Sequence, residues 1–330
     1  MIRVAVIGYG TMGRLHASIW KKLPGARLAA VADLDPERRQ HAEAQLGVKS
    51  YVKGEEVIGD PDIDLVDICV PTDGHAELIR RAVEMDKHVF CEKPLVRTRE
   101  ECDLVERLAA EARKKIGVGH VVRFFPEYVA AREKILSGAV GRPAVARAFR
   151  GGSLFPRGWQ DWYADFARSG GVILDLAIHD IDYLRWCFGE VERVYAKTTR
   201  GVTDERMEHA FVMLRFKNGV IAHVEGSWAN YPGQFYTALE IAGSKGMVEF
   251  DTRKTAAIVY NKAAAGEEWA NVAVPESPSL VSPYEAELAD MVAAIREGRE
   301  PKVTLKDAVA TVRVALAAVE SAETGRVISL

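Results

Sequence analysis

The sequence predicts a two-domain chain, in which an N-terminal α/β domain with a parallel sheet precedes a C-terminal α+β domain with a large, mainly antiparallel sheet. Apolar runs alternate with helix-like segments through the first third of the chain. A period-two alternation of apolar and polar residues replaces that pattern further on. The length of 330 residues also exceeds what one hydrophobic core usually serves. We place the domains at residues 1–122 and 123–330.

The first domain contains apolar runs that are typical of strands buried on both faces of a parallel sheet. The predicted strands are Arg3–Ile7, Leu28–Ala32, Leu65–Val70, His88–Cys91 and Ile116–Val121. The predicted helices are Met12–Leu23, Pro36–Leu46, His75–Met85 and Arg99–Ala112. Asp35 and Pro36 predict the start of the second helix, since a capping residue followed by proline is a common helix opening. Strand–helix alternation with right-handed crossovers indicates a doubly wound sheet.

The second domain is predicted to open with a helix near Tyr128–Leu136. The predicted strands are Ala210–Phe216, Ile221–Trp228, Tyr236–Ala242 and Met247–Asp251, and the predicted closing helices are Pro283–Glu297 and Leu305–Ala322. Asn218-Gly219 predicts a hairpin turn between the first two strands. An antiparallel sheet normally leaves one face to be covered, so we expect a homo-oligomer, a tetramer ahead of a dimer, with the strands between Ala210 and Ala242 at its interface.

Composition excludes several classes of protein. Charged residues make up 28% of the chain and the formal net charge is -3, which is unlike the basic surface of a nucleic-acid-binding protein. The four cysteines form no C-x-x-C pair, which argues against a disulfide framework or a cysteine zinc site. No apolar stretch approaches the roughly 20 residues that span a bilayer. We therefore expect a cytoplasmic protein with no nucleic-acid partner, no membrane partner and no metal.

A glycine-rich motif follows the first predicted strand and opens the first predicted helix. Its residues are Gly8, Tyr9, Gly10, Thr11, Met12 and Gly13. In this G-x-G-x-x-G pattern, Gly8 permits a tight turn, Gly10 lets the backbone approach a pyrophosphate, and Gly13 lets the helix lie close to the strand. The N-terminus of that helix offers N–H groups to the phosphates. The motif predicts a Rossmann dinucleotide-binding domain.

Asp33 ends the second predicted strand, twenty residues after Gly13. A carboxylate at this place can accept hydrogen bonds from the adenosine ribose hydroxyls and would repel a 2′-phosphate. NAD is therefore predicted in preference to NADP, although Arg38 and Arg39 follow closely and can soften that preference.

Two segments contain candidate catalytic groups. Lys93 follows the predicted strand His88–Cys91, and ligands of open parallel sheets bind at the carboxyl ends of strands. Asp175 and His179 have the spacing of neighbours on one helix face. A base that takes the hydroxyl proton and a cation that holds the developing alkoxide suit a hydride-transfer enzyme. The alternatives are a surface lysine, a helix-bracing aspartate and a core histidine that bonds a backbone carbonyl.

These motifs together resemble the Gfo/Idh/MocA family of sugar and cyclitol oxidoreductases, and the resemblance covers nearly the whole chain. It includes the glycine motif, Val70-Pro71-Thr72-Asp73-Gly74-His75, Glu92-Lys93-Pro94, Val118-Gly119-His120 with Arg123-Phe124, the glycine-rich run into Asp175 and His179, and Gly243-Ser244-Lys245-Gly246. The resemblance implies that Lys93, Asp175 and His179 act as the catalytic group. It also implies that the cofactor is lined by Glu92, Lys93 and the segment 70–75, including Val70, Pro71, Thr72 and His75. Members similar to this chain often carry Thr-Pro where Val70-Pro71 stands and a third glycine where Val172 stands.

The stretch Gly151–Ser169 is the predicted substrate-recognition segment. It is rich in aromatic and charged residues, among them Phe155, Arg157, Trp159, Trp162 and Tyr163. Aromatic faces pack against the C–H faces of sugar and cyclitol rings, while charged groups bind the hydroxyls. The predicted substrate contacts are Lys93, His120, Arg123, Trp159, Trp162, Tyr163, Asp175 and His179, and Trp228 and Tyr231 are further candidates. The alternative is that these aromatic residues anchor a domain or subunit interface.

The leading hypothesis is an NAD-dependent dehydrogenase that oxidises a secondary alcohol of a sugar, sugar acid or cyclitol to a ketone. Similar folds host several reactions, so a reductase of aldoses or imines is a second hypothesis. A non-catalytic NAD(H)-binding sensor is a third. A sensor has no need of Lys93, Asp175 and His179, which favours the enzymatic hypotheses.

Overall fold

The structure is a computed structural model that describes residues 1–152, 158–200, 208–229, 235–255 and 282–330. It divides into two units. The first comprises Met1–Phe124 and Glu276–Val309, and the second comprises Phe125–Pro275 and Ala310–Leu330. Within the described ranges, no helix has both the length and the apolar composition that a membrane span requires.

A six-stranded parallel sheet forms the centre of the first unit. Its strands are β1 (Ile2–Ile7), β2 (Ala26–Ala32), β3 (Lys49–Tyr51), β4 (Leu65–Ile68), β5 (His88–Glu92) and β6 (Ile116–Gly119). Its first five helices are α1 (Thr11–Trp20), α2 (Pro36–Leu46), α3 (Gly54–Ile58), α4 (His75–Glu84) and α5 (Arg99–Glu111). The strand order is β3-β2-β1-β4-β5-β6, and all neighbours are parallel. The predicted doubly wound sheet is confirmed.

Strands β1, β4 and β6 are buried along almost their whole length, as expected where helices cover both faces of a parallel sheet. This burial explains the apolar runs in the sequence. The short elements β3 and α3 were not predicted, because segments of three and five residues are too short to show a hydrophobic period.

The second unit contains a seven-stranded sheet. Its strands are β7 (Pro143–Gly151), β8 (Val191–Arg200), β9 (Glu208–Phe216), β10 (Ile221–Ser227), β11 (Tyr236–Gly243), β12 (Met247–Asp251) and β13 (Ile328–Ser329). Its helices are α6 (Pro126–Leu136), α7 (Phe166–Ser169), α8 (Ile178–Phe188) and α9 (Thr252–Thr255), and a π-helical segment, Ile173–Ala177, precedes α8. The order is β12-β11-β7-β10-β9-β8-β13, with β7 and β10 parallel and every other pair antiparallel. The predicted, mainly antiparallel sheet is confirmed.

Two long strands of this sheet, β7 and β8, were not predicted. Arg147 and Arg150 interrupt the apolar pattern of β7, and charged residues occupy most of the outward positions of β8. Strand pairing with β10 and β9, rather than local hydrophobicity, therefore places them in the sheet. In the neighbouring strands, Phe211, Met213 and Ile221 remain 46%, 51% and 43% exposed, so one face of the sheet presents apolar side chains within this unit.

The last two helices are α10 (Pro283–Glu297) and α11 (Leu305–Thr324), and β13 follows them. The predicted division at residue 122 differs from the packing here. Leu288, Met291 and Val292 of α10 belong to the same apolar core as Trp20 and Phe90, so residues up to Val309 group with the first unit. The apolar face of α10 packs in the core of the first unit, and no local feature of the sequence predicts this packing.

Candidate active site

The glycine motif forms a tight turn between β1 and α1. Gly8 has a φ of 90°, in the left-handed region, and a Cβ atom there would lie 2.7 Å from the carbonyl oxygen of Cys69. A Cβ atom on Gly13 would lie 1.7 Å from the carbonyl oxygen of Gly8. Both positions therefore require glycine, and the two requirements together hold α1 against the end of β1.

The N-terminus of α1 presents uncapped N–H groups. Gly10 is the N-cap residue and supplies no side-chain hydrogen bond, and the first turn of this fully described helix contains no acidic residue. Tyr9 is buried below this turn, while Thr11 and Met12 are half-buried at its start. The N–H groups at a helix N-terminus and the positive end of the helix dipole suit an anionic phosphate.

Asp33 directly follows β2 and lies beside the glycine turn. Its Oδ2 atom accepts a hydrogen bond from the backbone N–H of Tyr9 at 2.6 Å, and its Oδ1 atom accepts one from Asp35 at 2.9 Å. The Arg38 guanidinium lies 3.6 Å from Oδ2. The carboxylate thus stabilises the turn and retains acceptor capacity for ribose hydroxyls. The turn, the helix N-terminus and this acid fit a dinucleotide.

His75 ties together two loops at the carboxyl edge of the parallel sheet. The ring is buried, with Nε2 2.9 Å from the carbonyl oxygen of Val70 and Nδ1 3.0 Å from that of Pro94. Burial lowers the pKa of His75, against the opposing effect of these carbonyls. The ring holds the loop that contains Val70, Pro71 and Thr72 to the loop after β5, so its contacts are those of a loop-fixing residue.

Glu92 and Lys93 stand where β5 ends. Glu92 is buried, and its Oε2 atom accepts a hydrogen bond from the backbone N–H of Lys93 at 3.0 Å. Lys93 is half-buried. The next strand, β6, places His120 beside this edge in a fully buried position. The first unit therefore gathers the predicted cofactor residues at the carboxyl ends of its strands, where open parallel sheets bind their ligands.

Arg123 lies in a short 3-10 turn after β6 and is almost completely buried. Its guanidinium forms an ion pair with Asp307 at 3.3 Å and lies 3.5 Å from the carbonyl oxygen of Lys302. These contacts join the turn to the first turn of α11 and to the chain just before it, within the first unit. They are the contacts of a structural ion pair, so we do not include Arg123 among the proposed substrate-binding residues.

The second unit contains an aromatic cluster, which we define as Trp162, Tyr163 and Trp228. The rings of Trp162 and Tyr163 lie 4.0 Å apart, and Tyr163 meets Trp228 edge-on at 6.4 Å. Trp162 and Tyr163 are half-buried, as is the nearby Trp159, so each leaves part of its surface accessible. The candidates Phe155, Arg157 and Tyr231 lie outside the described residues.

Asp175 and His179 lie in consecutive helical segments of the second unit. Asp175 is buried in the π-helical segment, and His179 is half-buried in the first turn of α8. The spacing of Asp175 and His179 would place them on one face of a regular α-helix, but the wider π-helical turn changes the angular offset between the two side chains. π-helical turns occur frequently at functional sites.

Glu208 of β9 fixes the start of this helical region. Its Oε2 atom accepts a hydrogen bond from the backbone N–H of Val172 at 2.8 Å, while its Oε1 atom pairs with Arg200 at 3.0 Å. A carboxylate at this place also favours the positive end of the helix dipole. Ser169 adds a second restraint, because its hydroxyl accepts a hydrogen bond from Gly171 and donates one to the carbonyl of Tyr163. The aromatic cluster is thus tied to the segment that contains Asp175.

Sequence reasoning missed several buried ionisable residues. In the first unit these are His16, Asp67 and Glu287, which contact one another or Glu92. In the second unit, Arg150 forms a two-point ion pair with Asp180, with distances of 2.8 and 3.1 Å. No sequence signal could have found these groups, since the partners come from distant elements and burial depends on packing.

Comparisons with known proteins agree with this geometry. Residues 2–120 match the oxidoreductase family with an NAD-binding Rossmann fold, and residues 128–249 match the GFO/IDH/MocA C-terminal domain. The myo-inositol 2-dehydrogenase of Thermotoga maritima is 30% identical, with 100% of this chain and 98% of the relative covered. The 1,5-anhydro-D-fructose reductase of Ensifer adhaerens is 31% identical, with 99% and 98% covered.

A solved structure gives the same result for the fold. It is a putative myo-inositol dehydrogenase from Sinorhizobium meliloti 1021, which superposes with a TM-score of 0.84 at 28% identity and with coverage of 100% of this chain and 99% of that chain. The predicted family and the NAD-binding Rossmann domain are both confirmed. The chain belongs to the Gfo/Idh/MocA family of oxidoreductases and has NAD as its cofactor.

Proposed function

We propose that this NAD-dependent oxidoreductase transfers a hydride between NAD(H) and a secondary alcohol or ketone of a cyclitol or sugar. The observation that carries the proposal is the dinucleotide site at the carboxyl edge of the first sheet, with Lys93 directly after Glu92 at the end of β5. Relatives that match along the whole chain act on an inositol and on an anhydro sugar, by their names.

The proposed chemistry needs a base, an electrophile and a hydride acceptor. NAD, when bound, accepts the hydride from the carbon that becomes the ketone. We assign His179 as the group that takes the hydroxyl proton, because an imidazole has an ordinary pKa close to neutrality. Asp175 orients that ring and favours its charged form. Lys93 binds the reacting oxygen, and its positive charge stabilises the alkoxide as it develops.

The aromatic cluster supports a polyhydroxylated ring as the substrate. Its two half-buried members, Trp162 and Tyr163, together with Trp159, offer flat apolar surfaces that match the C–H faces of such rings. The hydrogen bonds of Ser169 connect this cluster to the segment that contains Asp175. His120 is a further proposed contact to substrate, since it lies at the carboxyl end of β6.

The reductive direction is the second candidate function. One relative along nearly the whole chain is named as a reductase of 1,5-anhydro-D-fructose, so the same fold serves ketone reduction. The same three residues would act in reverse, with His179 donating the proton to the oxygen that Lys93 holds.

We also propose a cytoplasmic homo-oligomer, a tetramer ahead of a dimer. Support for the compartment comes from the four cysteines, which are all free. Support for assembly comes from Phe211, Met213 and Ile221, whose exposure leaves an apolar face on the second sheet.

A substrate panel tests the proposed function. The protein is mixed with NAD and a set of inositols, sugars and sugar acids, and NADH is followed by its absorbance. In parallel, NADH is mixed with the corresponding ketones and with 1,5-anhydro-D-fructose. Turnover in the first set that disappears in Lys93→Met supports dehydrogenation, and turnover only in the second set supports the reductase. NAD binding with no turnover in either set would overturn both.

A further inference from the structure

A buried group of ionisable side chains lies beneath the cofactor edge of the first unit. We define the His16 cluster as His16 of α1, Asp67 of β4, Glu92 of β5 and Glu287 of α10. All four are buried; His16 and Asp67 are inaccessible, and Glu287 is 2% exposed. Four such groups cost folding free energy unless each finds a partner or changes its protonation state.

His16 bridges two of the carboxylates. Its Nδ1 atom lies 2.9 Å from Oδ2 of Asp67, and its Nε2 atom lies 3.2 Å from Oε1 of Glu92. The indole N–H of Trp20 also donates to Asp67 at 2.6 Å. Burial by itself lowers the pKa of His16, but Asp67 and Cys69 together outweigh this effect and raise the pKa well above its usual value. The ring is therefore an imidazolium between two carboxylates.

Glu287 is the member without a cation of its own. Neither of its oxygens has a hydrogen-bond partner among the described residues, and no described lysine or arginine forms an ion pair with it. The ligating atoms of Glu287, Glu92 and His16 all lie within 4.8 Å of one another. Burial and the neighbouring charge of Glu92 raise the pKa of Glu287 well above its usual range. A second buried anion beside Glu92 would remain uncompensated, so a proton on Glu287 is the simplest resolution.

Glu92 links the His16 cluster to Lys93 at the cofactor edge. Its Oε2 atom accepts the backbone N–H of Lys93 at 3.0 Å. Its carboxyl group also packs on Gly119 of β6, where a Cβ atom would lie 3.2 Å from the carboxyl carbon. The Glu92 carboxylate is therefore held by contacts with His16, Lys93 and Gly119. Glu287 is its fourth neighbour.

We propose that Glu287 is a neutral carboxylic acid beside the Glu92 carboxylate, and that it acts through Glu92 as a positioning residue for Lys93. The positioning role of Glu287 rests on the proposed function. The protonation state of Glu287 does not, and it can be tested without substrate. A divalent cation held by His16, Glu92 and Glu287 is the competing arrangement, since one imidazole and two carboxylates can also ligate zinc. The neutral acid and the cation site predict different effects of Glu287→Gln. An amide supplies an N–H donor in place of the O–H of a neutral acid, but it is a poor replacement for an anionic metal ligand.

The test compares Glu287→Gln, Glu287→Met and the matched control Glu285→Gln, which alters an exposed glutamate on the same helix. Infrared spectra of the intact protein without substrate are expected to show a protonated-carboxyl band that both Glu287 variants lack and the control retains. Metal analysis of the purified protein is expected to find no stoichiometric cation. A missing band, or one equivalent of metal that Glu287→Gln loses, would overturn the proposal whatever the enzyme's activity.

The catalytic consequence is read from turnover with the substrate found in the panel. Glu287→Gln is expected to keep kcat and KM within about twofold of the wild type, because the amide is uncharged, polar and nearly the same shape as a neutral carboxylic acid. Glu287→Met is expected to lower kcat by roughly fivefold with unchanged affinity for NAD, because an apolar side chain offers the Glu92 carboxylate no polar neighbour. Equal losses in both variants would contradict the positioning role of a neutral acid. A substrate panel without turnover would refute only the proposed function, since the infrared band and metal content would still decide the state of Glu287.

Discussion

The carboxylate of Asp33 accepts a hydrogen bond from the backbone N–H of Tyr9 at 2.6 Å, and so joins the end of β2 to the glycine turn. The same carboxylate is the proposed acceptor for the ribose hydroxyls of NAD. Both roles strengthen NAD binding. Removal of the Asp33 carboxylate would remove a contact to the cofactor and also a restraint on the turn that is proposed to hold the phosphates.

We therefore expect Asp33→Ser to weaken NAD binding by roughly one to two decades, which corresponds to the loss of a charged hydrogen-bond partner worth about 1.5–3 kcal/mol. NADP binding should weaken less, because the repulsion of its 2′-phosphate also disappears. Titration of both dinucleotides by fluorescence measures this change. The control Glu37→Gln alters an exposed acid nearby and should leave both affinities unchanged. Unchanged NAD affinity in Asp33→Ser would show that another acid binds the ribose.

The proposed catalytic residues are expected to act as one group. His179→Ala should lower turnover by roughly 10²–10⁴-fold, the usual contribution of a positioned acid–base residue. Lys93→Met should also lower kcat strongly while NAD binding survives, because its charge is needed mainly in the transition state. The double variant should lose less than the product of the two single effects, as steady-state kinetics can show. Independent effects, or near-normal turnover in either single variant, would place the chemistry elsewhere.

Glu208 is expected to affect turnover from outside the substrate site. Glu208→Gln weakens the hydrogen bond to the N–H of Val172 and the ion pair with Arg200, so the segment that contains Asp175 loses its main restraint. We expect a lower Tm and a lower kcat with unchanged affinity for NAD, measured by calorimetry, kinetics and titration. The control Glu249→Gln, on an exposed position of β12, should change none of these. A Glu208→Gln enzyme with normal kcat would show that the helical segment holds its position without this carboxylate.

The apolar face of the second sheet is expected to be a subunit interface. Met213→Glu places a charge among Phe211 and Ile221, and burying that charge would cost several kcal/mol if the face is covered in an oligomer. Sedimentation should therefore show a smaller species for Met213→Glu than for the wild type. The control Lys217→Glu changes an exposed turn residue and should keep the wild-type state. A wild-type protein that is monomeric at micromolar concentration would remove the prediction.

Stability is expected to fall with rising pH through the His16 cluster. Glu287 has a raised pKa in the folded state, so folding takes up a proton above its ordinary pKa of 4.5. The unfolded chain has released that proton, and the free energy of unfolding therefore falls by about 1.4 kcal/mol per pH unit until the folded-state pKa is reached. His16, whose pKa is also raised, adds a fall of the same sign above its ordinary 6.5. Urea unfolding between about pH 6 and about pH 8 should give a shallower slope for Glu287→Gln than for the wild type. Equal slopes would mean that Glu287 is ionised in the folded protein.

Several features followed from the sequence because they depend on local spacing. The glycine motif needs Gly8 and Gly13 for contacts within one turn, and Asp33 follows the second strand at a fixed distance along the chain. The apolar runs of β1, β4 and β5 indicate strands buried on both faces, since parallel sheets exclude water from both sides. Local chemistry therefore determined the dinucleotide-binding fold, and the Glu-Lys-Pro and D-x-x-x-H motifs indicated the family.

Only the tertiary structure decided the features that depend on partners from distant parts of the chain. The packing of α10 on the first sheet places Glu287 beside Glu92 and His16, although nothing in the sequence near Glu287 announces a buried acid. The start of the π-helical turn before His179 is likewise held by a hydrogen bond from the backbone N–H of Val172 to Glu208, which lies on the distant strand β9. Burial and long-range hydrogen bonding set the charge and orientation of these groups, and both arise only when the chain has folded.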